Sequence, residues 1–163
     1  MIINLDDHIT DNFIWKEMLY SNWAVRHGIS NIPDSDLIYN NIKIVCLSLE
    51  ILRSYIRTNI NPNAIIHVDS CYRSLIVNTG VGGSKTSAHM QGLAADILVP
   101  SMKVIDVCNT VKECVKDYDQ IIYEFQESGW THVGFSILHQ PRFELLTALK
   151  VDGKTEYRIG FVQ

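Results

Sequence analysis

Long apolar runs, clustered basic residues and paired cysteines are all missing from this chain, and each absence excludes a class of protein. No stretch approaches the roughly 20 apolar residues that a membrane-spanning helix needs. The 14 Lys and Arg residues are outnumbered by 18 Asp and Glu, for a net charge of −4. They form no basic run, which argues against a nucleic-acid footprint and against a polybasic membrane contact. The first residues, MIINLDDHITDNF, carry neither the basic segment nor the continuous apolar stretch of a secretory signal. The expected location is therefore the cytoplasm at synthesis, until something else releases the protein. Cys46, Cys71, Cys108 and Cys114 include no CxxC pair, which disfavours a thiolate zinc site. Reduced, mostly buried thiols are expected instead.

What is present describes an ordinary folded chain. The sequence has 163 residues, 47% of them hydrophobic and 20% charged, which suits a single domain over residues 1–163 with a substantial core. A monomer is expected. No internal repeat or interdomain linker is visible.

Periodicity sets out the elements. Asp11 or Asn12 could cap a helix from Phe13 that turns Trp15, Met18 and Leu19 inward. Asn31 to Asp34, with Pro33 between, marks a loop. From Asn41 to about Arg57, apolar residues 42, 45, 46, 49, 52 and 56 recur at helical spacing, the clearest helix of the chain. Residues 64–69 read as a short strand, Ser74 to Asn78 as a short helix ending near Gly80, and residues 93–99 as a buried strand. Pro100 and Ser101 open a further helix with Val104, Val107, Cys108, Val111 and Val115 on its inner face. Residues 119–125 and 130–135 form a β-hairpin pattern. Residues 142–149 fit helix or strand, and residues 156–162 a last strand. Helices early and strands late predict an α+β fold with a small, mainly antiparallel sheet.

The chemically informative stretch runs from Ser87 to Asp96. His89 and Asp96 stand seven residues apart, with Gly92 between them and a strand-like run leading to the carboxylate. Imidazole nitrogen and carboxylate oxygen suit zinc, and a catalytic zinc takes three protein ligands with one position left for water. A third ligand must come from elsewhere. His8 and His139 read as solvated loop residues, His27 as a helix C-terminal residue favoured by the dipole, and His67 as a satisfied core histidine. His132 alternates with Trp130 along a strand. On spacing alone the third ligand stays open.

These motifs resemble the zinc D-Ala-D-Ala carboxypeptidase and phage cell-wall peptidase family, whose fold is shared with the hedgehog signalling domain. Its signature S-x-H-x-x-G-x-A-x-D stands here as Ser87 to Asp96, and its W-x-H strand as Trp130 to His132. The segment Ser70, Cys71, Tyr72, Arg73, Ser74 followed by Asn78, Gly80, Gly82 and Gly83 is similar to the one that precedes the zinc motif in the family. The strand from Asp119 to Glu124 matches too, as do Phe13, Glu17, Ala24, Gly28, Asn31 and Pro33. The resemblance covers about residues 13 to 149.

The resemblance implies one zinc ion held by His89, Asp96 and His132, and hydrolysis of a peptide bond in peptidoglycan stem peptide. It implies that Arg73 binds the substrate carbonyl or carboxylate and that Ser87 either bonds substrate or caps the turn. The general base is less marked, since neither E-x-x-H nor H-x-H precedes His132. Glu124 is the first candidate, with Glu127 in the loop and Asp119, which could orient a ligand histidine instead, as alternatives. Hairpin register decides whether Glu124 and His132 share a face. Cys71 stands where many relatives carry glycine. A phage endolysin, reaching the wall once the membrane is breached, fits such a chain. The rival from another class is a non-catalytic zinc-stabilised binding module.

Overall fold

Placement of the α-helices follows the apolar stripes closely, and most of their starts are set locally, the last helix excepted. The computed structural model describes residues 3–137 and 139–162. By its contacts the chain divides into two compact units, Met1–Glu50 with Val68–Ala95, and Ile51–His67 with Asp96–Gln163.

The first unit is helical. α1 (Trp15–Leu19) and α2 (Asn22–His27) precede the long α3 (Asp36–Asn59), and α4 (Leu75–Gly80) follows. Trp15, Met18 and Leu19 are buried as the periodicity predicts. The predicted cap is different, because Ile14 occupies the N-cap and offers no side-chain bond. Asn12 is instead held by Glu50, whose carboxylate accepts from the Asn12 amide nitrogen at 3.0 Å and from its side chain at 2.8 Å. α2 opens on Ser21, whose hydroxyl accepts from the Ala24 amide. Asn31, in the predicted loop, is buried and connects three segments. It donates to the carbonyls of Leu19 and Tyr72 and accepts from the Ser74 amide. Ser74 then caps α4 through the Val77 amide.

α3 passes through the division at Glu50. It outruns the predicted 41–57 at both ends, and all six stripe residues (Ile42, Val45, Cys46, Leu49, Leu52, Ile56) are fully buried. Each such side chain contributes about 1.5–3 kcal/mol of burial, so the stripe and not helix propensity holds this element in place.

The second unit carries the hairpin and the C-terminal strands. The strands are β1 (His67–Ser70), β2 (Ala94–Leu98), β3 (Tyr118–Glu124), β4 (Trp130–Phe135), β5 (Glu144–Val151) and β6 (Lys154–Ile159). They form one six-stranded sheet in the order β1-β2-β4-β3-β5-β6. β3 and β4 pair antiparallel, as do β5 and β6, but β5 lies parallel to β3. The sheet is therefore mixed, which corrects the mainly antiparallel expectation within a fold that does combine helices and sheet. The reason lies in the connection. β4 already has β2 on its other side, so the next strand takes the free edge of β3. The chain enters β5 at Glu144, beside Gln120, and so runs in the direction of β3. Residues 142–149, open between helix and strand in the sequence, belong mostly to β5. His67 begins the exposed β1 and is not a core histidine.

α5 (Val104–Cys114) buries Val104, Val107, Cys108 and Val111 as predicted. Its start lies three residues beyond Ser101, for a reason given below. Among the described residues no helix is long and apolar enough to cross a membrane.

Candidate metal centre

His89 sits in a short 3-10 turn, Ala88–Gln91, that ends at Gly92 in the left-handed region with φ 65°. A Cβ on Gly92 would meet Ile42 Cγ1 at 2.9 Å and the Ile38 carbonyl oxygen at 3.0 Å. Glycine is thus required both by the backbone conformation and by the approach of α3. The imidazole is 2% exposed, and its Nδ1 lies 2.6 Å from the Cys71 carbonyl oxygen. A carbonyl only accepts, so Nδ1 carries the proton and Nε2 keeps its lone pair for a metal. The backbone at position 71 performs this task, and the Cys71 side chain is fully buried. Arg73 is tied to the same turn, its amide donating to the His89 carbonyl at 3.1 Å and its Nε to Ser70 Oγ at 2.8 Å. Ser87 holds the N-cap of the turn without a side-chain cap bond, so the capping role expected as one alternative is not what its hydroxyl does.

Asp96 on β2 and His132 on β4 are 3% and 8% exposed. His132 Nδ1 and Asp96 Oδ1 stand 2.9 Å apart. That is an ordinary N–H···O hydrogen-bond length, shorter than the separation of about 3.3 Å between two ligands on one tetrahedral zinc. His89, Asp96 and His132 each offer one ligand atom within 4.8 Å of the others, and among the described residues no second such group occurs.

Hairpin register places Glu124. His132 lies opposite Ile122 and Trp130 opposite Glu124. Alternate residues share a face, so Gln120, Ile122 and Glu124 point to the same side as Trp130 and His132. Glu124 is a diagonal neighbour of His132 on that side. The turn is tight: a Cβ on Gly129 would lie 1.8 Å from the Glu124 carbonyl oxygen.

The other two carboxylates are engaged elsewhere. Glu127 accepts from the amides of Val104 and Ile105 at 2.9 and 3.2 Å, and from the Tyr123 hydroxyl at 2.8 Å. It therefore caps α5, whose own N-cap Lys103 makes no cap bond. This explains where α5 begins. Desolvation pushes the Glu127 carboxyl up, but the bonds from Tyr123, Ile105 and Val104 outweigh it and hold the group below its ordinary value. Burial, and then the bond to Glu127, push the Tyr123 hydroxyl up in turn. A cavity of about 550 Å³ on this side is lined by Tyr123 and Glu127 together with Lys103, Ile105 and Asp106. It lies away from His132, because Tyr123 points to the opposite side of β3.

Asp119 accepts from the Arg142 amide at 2.9 Å and from its Nε and Nη2 at 3.0 and 2.6 Å. Burial raises this carboxyl, but the Arg142 bonds and charge prevail and leave it below the usual carboxylate range. Its partners are Arg142 and His139, the latter 3.8 Å away. The expectation that Asp119 orients a ligand histidine is not met.

The Peptidase M15 family pattern matches residues 11–134. The chain belongs to the peptidase M15 family. No curated protein matches it. M15 peptidases are zinc-dependent, and the donors present fit zinc: two imidazoles, one carboxylate, all buried, with the Nδ1 of His89 already held by a carbonyl. The matched stretch contains all three of these residues, whereas β5 and β6 lie beyond it. Several contributors were not foreseen from sequence: the Cys71 carbonyl, the Glu127 cap, the Asp119–Arg142 pair and the Asn31 connections. Backbone carbonyls leave no side-chain signal, and the other three join residues 12 to 43 positions apart.

Proposed function

We propose that this M15 peptidase hydrolyses a peptide bond in peptidoglycan stem peptides, as an endolysin-like endopeptidase or a D-Ala-D-Ala-type carboxypeptidase. His89, Asp96 and His132 would hold one zinc, which when bound supplies an acidified water and a polarised carbonyl. Glu124 accepts the proton released in the attack and returns it to the leaving amine. Arg73 binds the substrate carboxylate or carbonyl through its planar guanidinium, and Ser87 donates a further bond to substrate.

The observation that carries this reading is the register of β3 on β4. It sets Glu124 on the His132 side, while Glu127 and Asp119 are each engaged by other partners. A catalytic carboxylate beside a metal site favours the enzyme over the zinc-stabilised binding module, which needs the ligands and no base. The setting that we favour is a monomer that meets the cell wall after release.

The test is cleavage of purified peptidoglycan by zinc-loaded protein, with and without chelator, and mass spectrometry of the products to name the bond. Chelator-sensitive release of peptide fragments is expected. No cleavage by metal-loaded protein would sink the enzyme reading in favour of the binding module.

A further inference from the structure

The strands beyond the family match add residues to the His132 side of the sheet. Glu124 pairs with Ala148 on β5, and Ala148 with Tyr157 on β6. A row Trp130, Glu124, Ala148, Tyr157 therefore crosses four strands on one face. The neighbouring row is His132, Ile122, Leu146, Ile159. Two strand spacings, roughly 10 Å, separate the backbones of Tyr157 and Glu124, with Ala148 of β5 between them on the same face.

Local chemistry holds Tyr157 in this place. Asp152 and Gly153, both with positive φ (49° and 78°), make the two-residue hairpin between β5 and β6. Asp-Gly is the sequence that such a turn prefers, and the turn sets the register. At the far end Thr147 Oγ1 donates to the Gly160 carbonyl and accepts from the Val162 amide, both at 2.8 Å. β6 thus cannot slip, and a slip of one residue would turn Tyr157 to the other face. Tyr157 is 58% exposed and Ile159 91%, so neither is needed to fill a core. A phenol hydroxyl on this face is a hydrogen-bond donor for a peptide carbonyl oxygen.

We propose that Tyr157 is a substrate-positioning residue, its hydroxyl donating to a main-chain carbonyl of a peptide that lies along the His132, Ile122, Leu146, Ile159 row. This rests on the peptidase reading above. The Leu146 and Ile159 end of the row offers apolar surface to small side chains, while Tyr157 and Glu124 border it with one donor and one acceptor. Such a residue fixes binding more than chemistry, because it touches the peptide away from the bond that breaks.

The experiment compares Tyr157→Phe with the parent protein on a soluble stem-peptide fragment, and titrates the same fragment into zinc-loaded Glu124→Gln protein with and without Tyr157→Phe. Expected are a KM about tenfold higher and a Kd about tenfold weaker, with kcat within twofold and zinc content and Tm unchanged. Unchanged KM and Kd overturn the proposal, whatever kcat does. If the parent protein cleaves nothing, the peptidase reading fails and the Kd comparison alone decides Tyr157. Absence of any binding by the Glu124→Gln protein overturns the proposal as well.

Discussion

β3 contributes alternate residues to two faces of the sheet that share a backbone and little else. On one face Ile121 and Tyr123, with Thr131 and Val133 of β4, lie buried, and Cys108 of α5 reaches the Thr131 hydroxyl at 3.2 Å. Polar groups there are satisfied internally, and burial raises the Cys108 thiol to about 12, which makes it an inert filler. On the other face Ile122 and Glu124, with His132, are followed by the exposed Tyr157 and Ile159. Glu124 and Glu127 stand three residues apart and show the contrast in one residue type. One points with the candidate metal ligand; the other completes a helix. A carboxylate near a metal motif in sequence is thus a weak guide, and the partner that it faces is what distinguishes a base from a cap.

The largest expected effect comes from the ligands themselves. His132→Ala or Asp96→Ala should reduce bound zinc, measured by metal analysis, to near background and remove peptide cleavage with it. Zinc retained at the parent level would break the assignment of that face to a metal. Next, Glu124→Gln should lower kcat by about 10²–10⁴-fold with zinc content unchanged, while Glu127→Gln stays within twofold. Equal losses in the two variants would show that the faces do not differ as argued.

Stability effects are smaller and fall on the closed side or its edges. Asp119→Ala removes a buried carboxylate with several bonds from Arg142 and should cost about 2 kcal/mol in a denaturant titration, with the specific activity of the folded fraction retained. Glu127→Ala removes the α5 cap and should cost about 1 kcal/mol, read the same way. Both carboxyls are held below their ordinary values in the folded state. Their stabilisation is therefore complete above about pH 4 and is lost as pH falls through the lowered values. Each variant should then show a shallower loss of stability in acid than the parent. An acid limb of unchanged slope in both would remove these two groups from the account.

Much of the architecture was readable from periodicity. The α3 and α5 stripes and the β3–β4 hairpin come from apolar spacing, which burial enforces directly. The parallel placement of β5 was not readable, since it depends on β2 occupying the other edge of β4, a pairing far away in the chain. Nor was the start of α5, because its cap comes from Glu127, over 20 residues later.

The candidate metal centre divides in the same way. Residue types and local spacing on their own pointed to His89 and Asp96, because a turn closed by Gly92 and a strand connect the two over a few residues. The family motifs added His132 and Arg73. Only the tertiary structure decided which carboxylate shares the His132 face, that the His89 Nδ1 bonds the Cys71 carbonyl, and that Tyr157 of β6 joins that face. Those outcomes depend on hairpin register and strand order, where a shift of one residue reverses every side chain, and no spacing within a single segment encodes that choice.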